Sequence, residues 1–210
     1  MVISVLAYYR YTPFRDWLTA VAAIKQRTGY FFSFGVGALG GGILPEMIFV
    51  LIFQKGRITR QNWRNICFGC CFWGVNALAV DTLYRVQALI FGAQVDFPTV
   101  TKKVLVDQFL YNVIFAAPFG VSAYEWRHNG FRLTGMSKVF TPSFYKEKVL
   151  PSLIATWGVW IPLVSTIYAL PPLVQIPLFT LALTFWVILF TWINRPQQRG
   201  NGELQPIVAG

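Results

Sequence analysis

Long apolar runs, separated by short clusters of basic residues, dominate the pattern of this chain. Crossing the hydrocarbon of a bilayer takes about 20 mostly apolar residues. Four or five stretches qualify: Tyr30 to Phe53, Ile66 to Phe91, about Val104 to Tyr124, about Val149 to Leu170, and about Leu173 to Asn194. Only Pro171-Pro172 separates the last two, and that pair reads either as a tight hairpin or as a kink in a longer bent structure. The stretch from Phe14 to Arg27 differs. It sets Phe14, Trp17, Leu18, Val21 and Ile24 at helical spacing and leaves Arg15, Asp16, Lys25 and Arg27 elsewhere. That pattern predicts an amphipathic helix lying in the interface or packed across the bundle. It is also basic and acid-poor, as a mitochondrial import signal is, and no short apolar region with a small-residue cleavage site precedes it.

The expected fold is therefore all-α, a transmembrane helical bundle of four or five spans with an N-terminal amphipathic helix. Residues 1–29 form the amphipathic segment, 30–195 the transmembrane domain and 196–210 a flexible polar tail.

Composition supports this reading. Of 210 residues, 55% are apolar and 12% charged, against about 25% charged in an ordinary globular domain. So few charges cannot cover a water-facing surface. The 18 Lys and Arg outnumber the 8 Asp and Glu, a bias that elsewhere suggests nucleic-acid binding. Here the bases flank apolar runs, as membrane insertion and anionic lipid headgroups select. The expected partners are the bilayer and its anionic lipids, with no nucleic acid. The larger share of Lys and Arg falls on the side holding the 55–64 and 127–148 connections, which the positive-inside rule places toward the cytoplasm or matrix. Trp63, Trp126, Tyr145 and Trp192 sit near predicted span ends, where amphipathic rings prefer to lie. Cys67, Cys70 and Cys71 share one apolar run without His or acid beside them, so they read as packing residues, not as zinc ligands.

Ionisable residues inside spans are costly and are functional candidates by default. Asp81 lies well inside the second span, and Arg85 follows one turn later in the orientation favourable for an i,i+4 pair. Two readings stay open for Asp81: the charged wall of a water-filled pathway, or a self-neutralising pair that helps the helix pack. Arg85 is near enough to the span end to snorkel. Glu46 follows Pro45, and proline frees backbone groups that membranes tolerate only beside a cavity or buried in protein. Upstream, Gly37 and Gly41 form a G-x-x-x-G face for close helix packing, within the bundle or between subunits. Asp107 and Gln108 open the third span, where an acid reads as a helix cap. His128, the single histidine, is expected in a loop with no nucleophile around it. No paired carboxylates, Ser-His-acid set, metal cluster or cofactor motif is evident, so the chain is expected to be no enzyme.

Spans three to five carry a resemblance. The run "VLVDQFLYNVIFAAP" (Val104 to Pro118) is followed by a basic loop and by "YKEKVLPSLIATWGVWIPLVSTIYALPPL" (Tyr145 to Leu173). This resembles the C-terminal region of the Mpv-seventeen/peroxisomal membrane protein family. That region typically reads D-Q, a proline, a W-x-x-W-P block, an aromatic, a second proline and a final tryptophan. Asp107-Gln108 match the D-Q, Trp157 and Trp160 the paired tryptophans, Tyr168 the aromatic and Pro172 the later proline. Trp186 lies within one residue of the final tryptophan. Ile161 stands at the block's proline with Pro162 one residue on, Ile176 replaces an arginine and Ile167 a polar residue. The N-terminal half matches loosely, through Gln54, Arg57, Arg60 and Leu83-Tyr84, with Pro45-Glu46 near the usual G-D.

The resemblance implies a small helical protein of the mitochondrial inner or peroxisomal membrane, or of the plasma membrane in a bacterium. It further implies a weakly selective channel for small solutes or ions that supports organellar homeostasis. Glu46, Asp81 and Arg85 are the expected pathway-lining residues, and five helices leave so little room that a homo-oligomer is expected, docked through the glycine face. The alternative is a non-conducting assembly or lipid-interacting protein, with Asp81 paired inside the bundle. A membrane enzyme acting on lipids would need polar residues clustered at one interface, and the sequence offers none.

Overall fold

The computed structural model describes residues 2–193, with side chains placed from Leu6 to Ile188 apart from position 173. The described chain is all-α, without strands. Its helices are α1 (Val2–Arg10), α2 (Thr12–Thr28), α3 (Tyr30–Phe53), α4 (Arg60–Phe91), α5 (Phe97–His128), α6 (Pro142–Tyr168) and α7 (Pro172–Ile193). Helices α3 to α6 are each long and apolar enough to cross a membrane, and the chain is an integral membrane protein on that ground. The expected Asn194 end of the fifth stretch, the Trp192 side chain and the 196–210 tail lie outside what is described.

Three spans begin earlier than hydropathy suggests, because polar caps extend them beyond the apolar run. Thr59 precedes α4, and both its N–H and its hydroxyl donate to Asn62 Oδ1 at 2.6 Å, the side-chain-to-N-cap half of a capping box. Asp96 caps α5 by accepting from the Thr99 N–H at 3.1 Å, with Pro98 in the first turn. Thr141 caps α6 just before Pro142. The α5 cap corrects the expectation for Asp107, which stands mid-helix and buried, not at a helix start. His128 closes α5 instead of sitting in a loop.

Prolines shape the span interiors. Wide i→i+5 turns occupy Ala38–Ile43, Asp107–Ala116 and Tyr145–Val149, each ending two residues before a proline: Pro45, Pro118 and Pro151. Proline has no N–H and its ring collides with the carbonyl four residues back. Widening the preceding turn relieves that collision. The residue before each proline donates five residues back: Leu44 to Leu39, Ala117 to Asn112, Leu150 to Tyr145. Continuing that register, Pro118 should bond the carbonyl of Val113. Tyr145 Oη donates to that carbonyl instead, at 3.0 Å.

Two compact units divide the chain. One comprises Asp16–Thr82 with the described residues from Ile176 onward; the other holds Leu83–Gln175 with the described residues up to Arg15. In the first, the glycine face of α3 meets α4 and α7. A Cβ at Gly37 would stand 2.5 Å from that of Ala77, one at Gly41 would enter the Trp73 ring, and one at Gly40 would strike Thr184. Backbone also meets backbone here: a Cβ on Gly69 would lie 2.8 Å from Gly42 Cα. This face is used inside the chain and is not available to dock a second copy. Of the cysteines, Cys70 follows the packing reading, with Sγ 3.7 Å from the Ala38 carbonyl, whereas Cys67 and Cys71 are exposed.

In the second unit α5 and α6 pack antiparallel. The first part of α5 lies along Leu150–Tyr168, and its last turns meet the Tyr145–Val149 segment. Helix α6 ends at Tyr168 and α7 starts at Pro172, so the helix is broken, not kinked, at the proline pair. Residues Val174 to Phe179 of α7 are buried without interruption, which is a core helix's pattern, not that of a lipid-facing one.

Candidate functional site

Buried charge in the first unit centres on Asp81, whose side chain is 0% exposed. Lys25 Nζ lies 2.9 Å from one carboxylate oxygen, and Ser33 Oγ donates to the other at 2.6 Å. Both partners flank Gly29 by four residues, one on α2 and one on α3. Gly29 takes φ +58 and ψ −127, a region open essentially to glycine alone. The turn it makes directs one residue from each helix onto a single carboxylate.

The helix predicted over Phe14 to Arg27 lies within α2, and part of its apolar stripe (Phe14, Leu18 and Val21) is buried or half-buried. Its buried residues are Leu18, Ala22 and Lys25, while Trp17 and Ile24 are about half exposed. Where the surroundings are hydrocarbon, an apolar face is free to point outward, and a lysine with a buried carboxylate to reach points inward. Lys25 is therefore a core residue and not one of the flanking basic charges.

Glu46, half-buried on α3, accepts from Asn62 Nδ2 at 2.7 Å and from Asn65 Nδ2 at 2.9 Å. It ties α3 to the first turns of α4. From Asn65 to Asp81 the helix rises about 24 Å at ~1.5 Å per residue, so Glu46 and Asp81 belong to different places. Arg85, one turn beyond Asp81, is exposed. The expected pathway trio is not one cluster.

A polar cluster forms in the second unit, around residues that carried the family resemblance. Asp107 Oδ2 accepts from Tyr168 Oη at 2.7 Å, and Oδ1 accepts from Gln108 Nε2 at 2.7 Å. Trp157 Nε1 donates to the Gln108 carbonyl at 3.0 Å, and Asn112 reaches the Gln108 side chain at 3.3 Å. The Tyr84 ring lies 4.9 Å from that of Tyr168. Asp107 and Gln108 are buried, and Tyr168 is 1% exposed. Four matched positions (Asp107, Gln108, Trp157 and Tyr168) therefore converge.

The other matched positions sit elsewhere. Pro162 is exposed inside α6, Pro172 opens α7, and Trp160 and Trp186 are half-buried on α6 and α7. Ile167 and Ile176, the positions that depart from the pattern, are fully buried.

Three neighbours escaped the sequence reading. Gln87, 1% exposed, sets its amide against the Tyr168 hydroxyl, and its amide oxygen has no hydrogen-bond partner among the described residues. Leaving a buried polar group unpaired costs about 1–3 kcal/mol. Tyr111 Oη is buried and likewise unbonded, within electrostatic reach of Asp107. Lys103 is almost wholly buried one turn before Asp107, with its charge acting on Asp96 at the helix start. Helical spacing from Asp107 marks Lys103 and Tyr111 in retrospect; Gln87 comes from another helix, and no local pattern announces it. Asp107 has no ion pair among the described residues. Those residues also contain no group of three His, Cys, Asp or Glu able to hold a metal ion.

No family model matches the chain, and neither the curated proteins nor the solved structures contain a significant match.

Proposed function

We propose that this protein is a channel or pore-like conduit for small solutes or ions, with Asp107 and the polar groups around it as the solute-contacting part. The observation that carries this reading is the Asp107 carboxylate, buried in a membrane-spanning helix with hydrogen-bond donors but no ion-pair partner among the described residues. A structural carboxylate at that depth would have a cationic partner, as Asp81 has in Lys25. The reading includes kinship with the Mpv-seventeen/peroxisomal membrane protein family and residence in an organellar or bacterial plasma membrane. It is supported by the convergence of Asp107, Gln108, Trp157 and Tyr168. The proposed role is non-catalytic. Any oligomer that widens the pathway must use a surface other than the glycine face.

Asp81, closed by Lys25 and Ser33, is assigned a structural role. The same closure favours the second reading, a non-conducting protein held in anionic lipid by its basic connections. Conductance of the purified protein in planar bilayers separates the two. Discrete openings whose ion selectivity changes in Asp107→Asn support the conduit. Silence across voltage and ionic conditions, or openings untouched by that substitution, rejects Asp107 as a pathway residue.

A further inference from the structure

The carboxylate of Asp107 offers four lone-pair positions, of which Tyr168 and Gln108 occupy one on each oxygen. Both donors are neutral, so the charge is solvated but not balanced. Tyr84, Tyr111 and Tyr168 are the titratable groups facing it, and none of them supplies a positive charge. Lys103, one turn earlier on the same helix, makes no ion pair with it. Beside the Tyr168 hydroxyl that holds this carboxylate stands the buried Gln87, its amide oxygen unpaired, and one turn along α5 from Asp107 the buried Tyr111 hydroxyl is also unpaired.

We propose that Asp107, Gln87 and Tyr111, with Tyr168 as the positioning donor, bind one small alkali cation together with its residual water. Carboxylate, amide carbonyl and hydroxyl oxygens are the hard ligands such a cation takes. One carboxylate matches one positive charge; a divalent ion would want more. Gln87 Nε2 faces the Tyr168 hydroxyl, which leaves the amide oxygen for the ion. A proton alone would neutralise Asp107 and still leave the Gln87 amide oxygen and the Tyr111 hydroxyl without partners. The proposal deepens the conduit reading by naming its ligand, and it rests on that reading for its physiological sense.

The test is an equilibrium one. The full chain is purified in choline buffer, and thermal unfolding is followed as NaCl or KCl replaces choline chloride at constant ionic strength. The expected result is a saturable rise in Tm with one or both alkali ions, lost in Asp107→Asn and shifted to at least about tenfold higher concentration in Gln87→Leu. Asp107→Asn keeps an acceptor for Tyr168, and Gln87→Leu removes an amide whose oxygen is unpaired, so both should fold. If Asp107→Asn does not fold, Gln87→Leu decides. No alkali-specific rise, an unchanged midpoint in Gln87→Leu, or a rise produced by acidification alone overturns the site. Binding without conductance refutes only the conduit; conductance without binding refutes only the cation site.

Discussion

Replacing Lys25 by Met isolates the energetics of the buried pair. Asp81 is 0% and Lys25 11% exposed at the side chain, with 2.9 Å between the charged atoms. At an effective dielectric of about 20 the gross attraction is about 6 kcal/mol. Desolvating both charges cancels much of it, so the pair contributes little net stability compared with an apolar replacement. Removing one partner is a different matter. Lys25→Met leaves a buried anion with Ser33 as its donor, and breaking a buried pair in this way costs about 3–5 kcal/mol. Asp81→Asn costs less, because the partly exposed lysine has an outward route for its ammonium. The double variant Lys25→Met/Asp81→Asn restores neutrality and keeps an acceptor for Ser33, so its stability should return to within about 1–2 kcal/mol of the native protein. Reversible unfolding in mixed micelles, titrated with SDS, measures all four proteins as a double-mutant cycle. A coupling of about 3 kcal/mol or more is expected. Losses that add, with coupling under about 0.5 kcal/mol, would refute the pair as the device joining α2 to α4.

Further outcomes follow from neighbouring features. Gly42→Ala must push its Cβ against the Cys70 backbone, 2.5 Å from the nitrogen, and should lose about 1–3 kcal/mol. Gly35→Ala meets nothing within 4 Å and should gain up to about 1 kcal/mol of helix propensity; the same unfolding titration distinguishes them, and equal effects would contradict the packing described. Gly29→Ala forces a side chain into a positive-φ turn and should cost about 1–3 kcal/mol. Its loss should shrink in the Lys25→Met background, where the turn no longer has a pair to align. At the start of α5, the Thr99 N–H holds the Asp96 carboxyl below the ordinary aspartate range. Its stabilisation is therefore present above the unfolded value and lost as pH falls through the lower folded value. Asp96→Asn should flatten the acid side of a Tm-against-pH curve while leaving neutral pH unchanged.

Hydropathy alone was enough to place the four spans, because the absence of charge over some 20 residues is a local property of the chain. Cap and proline signals were equally local: Asp96 ahead of Pro98, Thr141 ahead of Pro142, and the prolines at 45, 118 and 151 that widen the turns before them. Reading them would have moved the start of α5 from Val104 to Phe97 and removed Asp107 from the caps. The G-x-x-x-G spacing announced close packing, but not that Trp73, Ala77 and Thr184 supply the opposing surfaces. Amphipathicity found α2 but did not announce that Lys25 is buried with Leu18 and Ala22, since an apolar face is satisfied by lipid as well as by protein. Only tertiary structure brought Lys25 and Ser33 to Asp81, and Tyr168 to Asp107 with Gln87 beside it. Those groups lie far apart in sequence, and whether a buried charge is balanced depends on which helices meet, which no periodicity along one helix encodes.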